Sequence, residues 1–401
     1  YFDDDFGDNH FGSTNDRILF ATRPLSILKT LQRKTDTSSN VIFAYAFDKL
    51  SEAPQLALEG DRAVRPFGQQ GFISRGAKED DANEHVFVLS YVNPDWDRVR
   101  FTDELKFGTY QVLRTQDEGF TNPSAGPASA SAASCAQDGV PPLECVTKDE
   151  GSLIWIADFW YRVRYGALYS EAEYVHISGN TTGGVPFPGA NQRKQADLDS
   201  GALRVGYLSD SVDGVLEVGF AAGDENLSDR VFKQRPMHPD YNVGLILFDE
   251  IDRERSARVF GPPYISASSP DGARGFMTNG GVVNARYLQP KVRYRPGFGG
   301  LEFVGAALFA WVDEWSEPPN VFICPQPEVA ATDCTASKYL GTEVDLAVKS
   351  RFADDHLDVT LETGYLHFGD VLKTRSDRAD ETLPNAPRGA FSLQARIAYI
   401  F

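Results

Sequence analysis

The sequence predicts an all-β chain: a transmembrane antiparallel β-barrel of about 14–18 strands, with short periplasmic turns and long extracellular loops. Three observations predict it. Stretches that alternate apolar and polar residues recur along the whole chain. The connections between them alternate between short and long. No apolar run approaches the roughly 18–20 residues that a membrane-crossing helix needs, and the longest obvious one, Val304 to Val312, is about half that.

The last stretch, FSLQARIAYIF, sets the pattern. Phe391, Leu393, Ala395, Ile397, Tyr399 and Phe401 fall on one face, and Ser392, Gln394 and Arg396 on the other. Strict period-two alternation marks a strand with one apolar and one wet face. A strand of this kind, ending on an aromatic, suits the terminal strand of an outer-membrane barrel. In chain order the same reading takes in RILFATR (17–23), VIFAYAF (41–47), HVFVLSYV (85–92), LKFGTYQVLR (105–114), SLIWIADFWYRVRY (152–165), LYSEAEYV (168–175), ALRVGYL (202–208) and VLEVGF (215–220). It continues with Lys291–Arg295, Leu301–Trp311, Glu343–Phe352 and His356–Leu366, about thirteen strands in all. Single-chain bacterial barrels are usually even-numbered, so a further strand is expected, either before Tyr1 or hidden in 224–280, where VGLILFDE is a candidate. Trp155, Tyr161, Tyr165, Trp311, Tyr365 and Tyr399 suit an aromatic belt.

Composition agrees. The chain has 401 residues, 42% hydrophobic and 12% aromatic. That length would ordinarily suggest two or three soluble domains, but a large barrel is the exception, and residues 1–401 read as a single outer-membrane barrel domain. The start at Tyr1 reads as a mature or trimmed chain. A net charge of −18 argues against nucleic acid as a partner. Two cysteine pairs, Cys135/Cys145 and Cys324/Cys334, lie in Pro/Ala/Ser-rich loops. They read as local disulfides in an oxidising compartment, because Cys-x9-Cys is not a metal-ligand spacing.

If the apolar faces meet lipid, the polar faces line a lumen. The expected pore-lining residues are Arg162, Arg164, Arg204, Lys291, Arg293, Arg295, Lys349, Arg351, Arg396, Glu343, Asp345, Asp358 and Glu362. Arg17, Arg23, Lys106 and Arg114 join them on the basic side, and Asp48, Asp158, Glu171, Glu173, Glu217 and Glu302 on the acidic side. One reading is a network of charges paired across the wall. The other is a polar conduit whose basic stripe, including Arg293, Arg295, Arg162 and Arg164, guides an anionic solute. The segment DENLSDRVFKQRPMHPDYNVGLILFDEIDRERSARVFGPPY contains a run too apolar for a free loop. It must plug the lumen, cap the mouth or extend the wall.

No His-x-x-x-His pair, Gly-x-Ser-x-Gly elbow or phosphate loop is present, so nothing asks for an enzyme. No cofactor is expected. The acidic FDDDFGDNH, with Asp3, Asp4, Asp5, Asp8 and Asn9, reads either as a weak Ca²⁺ site in an extracellular loop or as a solvated loop. The expected partners are outer-membrane lipid and lipopolysaccharide, a polar or anionic solute, and periplasmic or surface proteins.

The runs IADFWYRVRYGALYSEAEYVHISGN, LRVGYLSDSVDGVLEVGFAAGDEN and MHPDYNVGLILFDEI resemble a poorly characterised family of myxobacterial outer-membrane proteins, over roughly residues 150–315. The HPDYxVxLILFxEI run is the most specific part of that likeness. The layout is also loosely similar to alginate-export barrels, which pass an acidic polysaccharide through an arginine-lined pore, although the inner face here is mixed in sign. These likenesses imply a barrel in the outer membrane and, more weakly, export. The expected function is a channel for a polar, anionic solute. The rivals are a closed docking barrel with disulfide-pinned surface loops and, behind it, a barrel enzyme.

Overall fold

The computed structural model describes residues 15–36, 38–50, 83–93, 104–120, 147–181, 194–227, 229–238, 241–260, 278, 280–298, 300–318, 320–326, 329–352, 356–375, 378–382 and 388–399. The strands come in the expected order. They are β1 (Asn15–Thr22), β2 (Val41–Leu50), β3 (Asn83–Asn93), β4 (Glu104–Phe120), β5 (Thr147–Tyr165), β6 (Leu168–Thr181), β7 (Lys194–Tyr207), β8 (Val212–Ala221), β9 (Val231–Phe232), β10 (Ala285–Tyr294), β11 (Glu302–Val312), β12 (Tyr339–Phe352), β13 (Leu357–Phe368), β14 (Thr374–Arg375), β15 (Arg378–Thr382) and β16 (Gly389–Tyr399). Thirteen of them form one antiparallel wall, in the order β1 to β8, β10 to β13, then β16. The fourteenth strand of that sheet, β9, is a two-residue parallel addition to β7. β14 and β15 pair only with each other. Among the described residues β1 and β16 do not pair.

Alternation assigns the faces. On β5, Leu153, Trp155, Phe159, Tyr161 and Tyr165 point outward and are exposed, as are Val344, Leu346, Val348 and Phe352 on β12. A water-soluble sheet would cover such a surface, and this one carries it on strand after strand. Aromatics gather at both edges of the band. Tyr165, Tyr207, Tyr294, Phe303 and Tyr399 lie near the short turns, and Trp155, Trp311, Tyr365 and Phe391 near the long connections. Phe303 and Trp311 bracket one strand and Trp155 and Tyr165 another, a height of roughly 20–25 Å at ordinary strand tilt, which matches a bilayer's apolar core.

The segment between β8 and β10 corrects one expectation. VGLILFDE is not a strand. It turns through Val243–Ile246 into a π-helix, π1 (Leu247–Asp252), and then a helix, Arg253–Phe260. An unbroken apolar run does not distinguish a buried strand from buried helix. Gly244 makes the turn at φ +76°, where a Cβ would also come within 3.0 Å of the Glu343 carboxylate. The segment lies against the inner face of the wall. Tyr241 meets β8 and β10, Leu245–Leu247 meet β12, and Ile246 packs on Gly364 of β13. One short segment touching so many strands on the same face requires a wall curled around it. Leu247, Phe248, Val282, Ala285, Leu308, Ala310, Leu340 and Leu366 are fully buried in the resulting core.

A second correction concerns Arg23. β1 ends at Thr22, and Arg23 caps a helix, α1 (Pro24–Leu31), with proline in its first turn. The helix ends in a Schellman motif: Arg33 N–H bonds Thr30 O at 2.9 Å, and Lys34 N–H bonds Lys29 O at 3.0 Å. Arg33 takes φ +55° there, a position glycine would fill without the ~1 kcal/mol that a side chain costs.

Candidate functional site

The inner face divides into two regions. Toward the long connections of β8 to β13 it is covered by the inserted segment, while Arg293, Arg295 and Arg351 nearer the short turns stay part-exposed. On β1 to β6 it carries paired charges beside small buried clusters, Ala46, Val86 and Val112 in one and Ile154 with Phe232 of the insert in the other.

Three sets of contacts hold the insert. Glu343 is fully buried, and its carboxylate accepts the backbone N–H groups of Leu245, Ile246 (2.8 Å) and Leu247 (2.8 Å). These are the unpaired donors at the start of π1, and a carboxylate suits a helix N-terminus. Glu217 takes the hydroxyls of Tyr241 and Tyr287 (2.8 Å) and the guanidinium of Arg204 (2.7 Å). From the long-loop side, the segment after β11 closes over the insert. Gln234 and Asn320 exchange side-chain amide bonds (3.1 and 3.4 Å), and Arg255 bonds Val321 O at 3.3 Å while lying over the Phe322 ring. That segment carries the expected Cys324–Cys334 disulfide, Cα–Cα 5.9 Å. Cys135 and Cys145 lie outside the described residues, as does Asp3–Asn9.

Asp252 is fully buried in π1 with neither carboxylate oxygen bonded. Burial pushes its pKa up to about 7, against the pull of Arg255. The folded pKa lies above the unfolded one, so the folded segment holds a proton that the unfolded chain releases. Asp252's contribution to the stability of the insert is therefore expected to be greatest below pH 4, to fall as pH rises from about 4 to about 7, and then to level off. The fall is about 1.4 kcal/mol per pH unit of that window. Hydrogen exchange at residues 245–256, corrected for its intrinsic pH dependence, should lose protection accordingly between pH 4 and 7. Asp252→Asn should flatten the dependence, and a slope unchanged in that variant would remove Asp252 as its source.

The wall charges pair. Arg17 holds Asp48 at 2.6 and 2.7 Å, Arg114 holds Glu84, and Arg162 holds Glu171 at 2.7 Å. Arg204 bridges Glu171 and Glu217. Arg293 and Arg295 share Asp213 and Glu302, and Arg351 meets Asp358 at 3.5 Å. Lys349 faces Glu302 in register, Arg396 faces Thr360, and Glu362 faces Gln394, while Lys291 acts electrostatically on Asp345. Arg164 sits at a short turn and bonds Gly166 O. Glu343, expected to line a lumen, instead lies beneath the insert and grips it. Asp158 and Asp345 each keep one buried oxygen unbonded.

Arg235 was not expected. It lies on the insert, three residues past β9, and among the described residues it has no hydrogen-bond or ion-pair partner. Its side chain is exposed to water yet surrounded by protein, and the charge that acts on it is that of Arg114 on β4. Enclosure and that like charge lower its pKa to about 10, so it stays cationic at neutral pH. Nothing in FKQRPMHPDY marks one arginine as lumenal, since that position depends on how the insert lies.

On the outer face, near the long connections, ligand atoms of His176, Asp197 and Asp199 lie within 4.8 Å of one another. Tyr174 and His176 both hydrogen-bond Asp199, His176 at 2.9 Å.

No protein-family model matches the chain, and no curated protein matches it in sequence. Solved structures show distant likeness. The chain is 9% identical to the apoprotein of the FrpB iron transporter (F5-1 variant) of Neisseria meningitidis, over 90% of this chain and 54% of that one, with a TM-score of 0.31. It is 10% identical to the toluene transporter TodX of P. putida, over 88% and 75%, TM-score 0.25. It is 11% identical to CdiB of Acinetobacter baumannii, over 98% and 58%, TM-score 0.24. The chain thus spans about half the length of FrpB. At these scores the likenesses carry no argument, and the fold rests on the strand pairings themselves.

Proposed function

We propose that the chain is an outer-membrane channel that passes a polar, anionic solute along the side of the lumen its insert leaves uncovered, between that segment and the inner face of β1 to β6. The outward apolar band with aromatics at both edges supports the membrane. The single observation behind the solute's sign is Arg235, an unpartnered, water-exposed cation inside the wall beside Arg114. Elsewhere the basic side chains are largely balanced by acids, so one uncompensated charge in a narrow passage sets the local field. An acidic polysaccharide is the solute class suggested by the alginate-export likeness.

The test is the reversal potential of the purified protein in a planar bilayer under a salt gradient. The intact protein should favour anions. Arg235→Glu should shift it toward cations by several-fold in permeability ratio. A conducting protein whose selectivity ignores that change would sink the anionic reading.

A second reading has its own support. The insert is packed and clasped on three sides, as a closed docking barrel requires, and the disulfide-pinned segment would then present a surface to a partner. Absence of conductance in both the intact protein and a variant lacking the insert would favour it.

A further inference from the structure

The short-turn rim carries a feature that the wall does not explain. α1 is a clean amphipathic helix. Leu25, Ile27, Leu28 and Leu31 share one arc, and Ser26, Lys29 and Thr30 the other. None of its residues is buried, and Leu31 is 75% exposed. A water-facing helix with this arc would lose nothing by being polar. One residue joins it to β1, whose outward Ile18 and Phe20 are also exposed. Its apolar arc therefore sits at the rim of the outer band.

The charge is equally distinct. Between β1 and β2 lie Arg23, Lys29, Arg33 and Lys34 against the single acid Asp36, a local balance of +3 in a chain of −18. Asp36 contacts Lys29 at 3.7 Å, which leaves Arg23, Arg33 and Lys34 facing outward as exposed cations. Arg33 stands where glycine would be easier on the backbone.

We propose that α1 is an interfacial anchor that lies in the short-turn-side leaflet and draws anionic glycerophospholipid headgroups to that rim. Its apolar arc enters the acyl boundary as a continuation of the band, and Arg23, Arg33 and Lys34 meet the phosphates. The proposal rests on the membrane reading above.

The test places an environment-sensitive label at Leu28→Cys in the full chain, in lipid nanodiscs of phosphatidylcholine with or without phosphatidylglycerol. A label at Leu346→Cys on the outer face of β12 is the control. Acyl-brominated lipids should quench both. Brominated phosphatidylglycerol should quench the Leu28 label at least about twofold more than brominated phosphatidylcholine. Arg33→Gly with Lys34→Ser should abolish that preference while leaving the fold intact, because glycine suits the φ at 33. Quenching at position 346 but not at 28 would overturn the anchor and leave the membrane reading standing. Equal quenching by both lipids would overturn the headgroup preference. No quenching at either position would sink the membrane reading and the anchor with it.

Discussion

Glu343→Ala is expected to loosen the insert by about 3–5 kcal/mol and to raise conductance. Three N–H groups, two of them fully buried, at once lose the carboxylate that accepts them. Each charge-assisted bond of this kind contributes about 1.5–3 kcal/mol, and a buried donor left unmet adds its desolvation cost. Leucine, isoleucine and phenylalanine around it cannot replace the acceptor, and the methyl of alanine leaves a gap beneath π1. Hydrogen exchange at Leu245–Leu247 should accelerate by orders of magnitude, and protease should reach 243–260 without cutting the strands. Glu343→Gln should cost less, because its carbonyl still accepts while its NH₂ opposes the remaining donors. Unchanged protection in the alanine variant would show that the surrounding apolar core, not the carboxylate, holds the segment.

Replacing residues 228–275 by a short linker should have the larger functional effect. The insert packs on the inner face of β8 to β13 toward the long connections, so its removal opens that side of the lumen. Conductance should rise roughly twofold or more, as wider barrels pass more water and salt. Anion preference should fall, since Arg235 leaves with the insert. The wall should remain, because every pairing among its thirteen strands lies outside the excised stretch. The inner apolar residues Leu308, Leu340 and Leu366 would then meet water, so a lower melting temperature is expected as well. A variant that folds yet conducts no better than the parent would show that the constriction lies elsewhere.

The wall was legible because its signal is local. Alternation in FSLQARIAYIF or LYSEAEYV names a strand and both its faces without reference to anything else. The fate of a polar face is not local. Glu343 and Glu302 look alike in the alternation, but one grips three backbone amides and the other pairs with arginines, because a segment about a hundred residues away covers only the first. The inserted run was seen to be too apolar for a free loop, but its helical form depends on Glu343 meeting its donors. α1 had a signal that went unused: proline followed by Leu25, Leu28 and Leu31 at helical spacing, which the strand reading RILFATR ran into at Arg23.

The grip on the insert also has an order in time. Leu245, Ile246 and Leu247 precede Glu343 by 98, 97 and 96 residues. A chain made from its N-terminus therefore presents this greasy stretch before the strand that will receive it exists. Until β12 arrives, the stretch must be shielded or left waiting, which makes it the part of the molecule most in need of an escort on its way to the membrane.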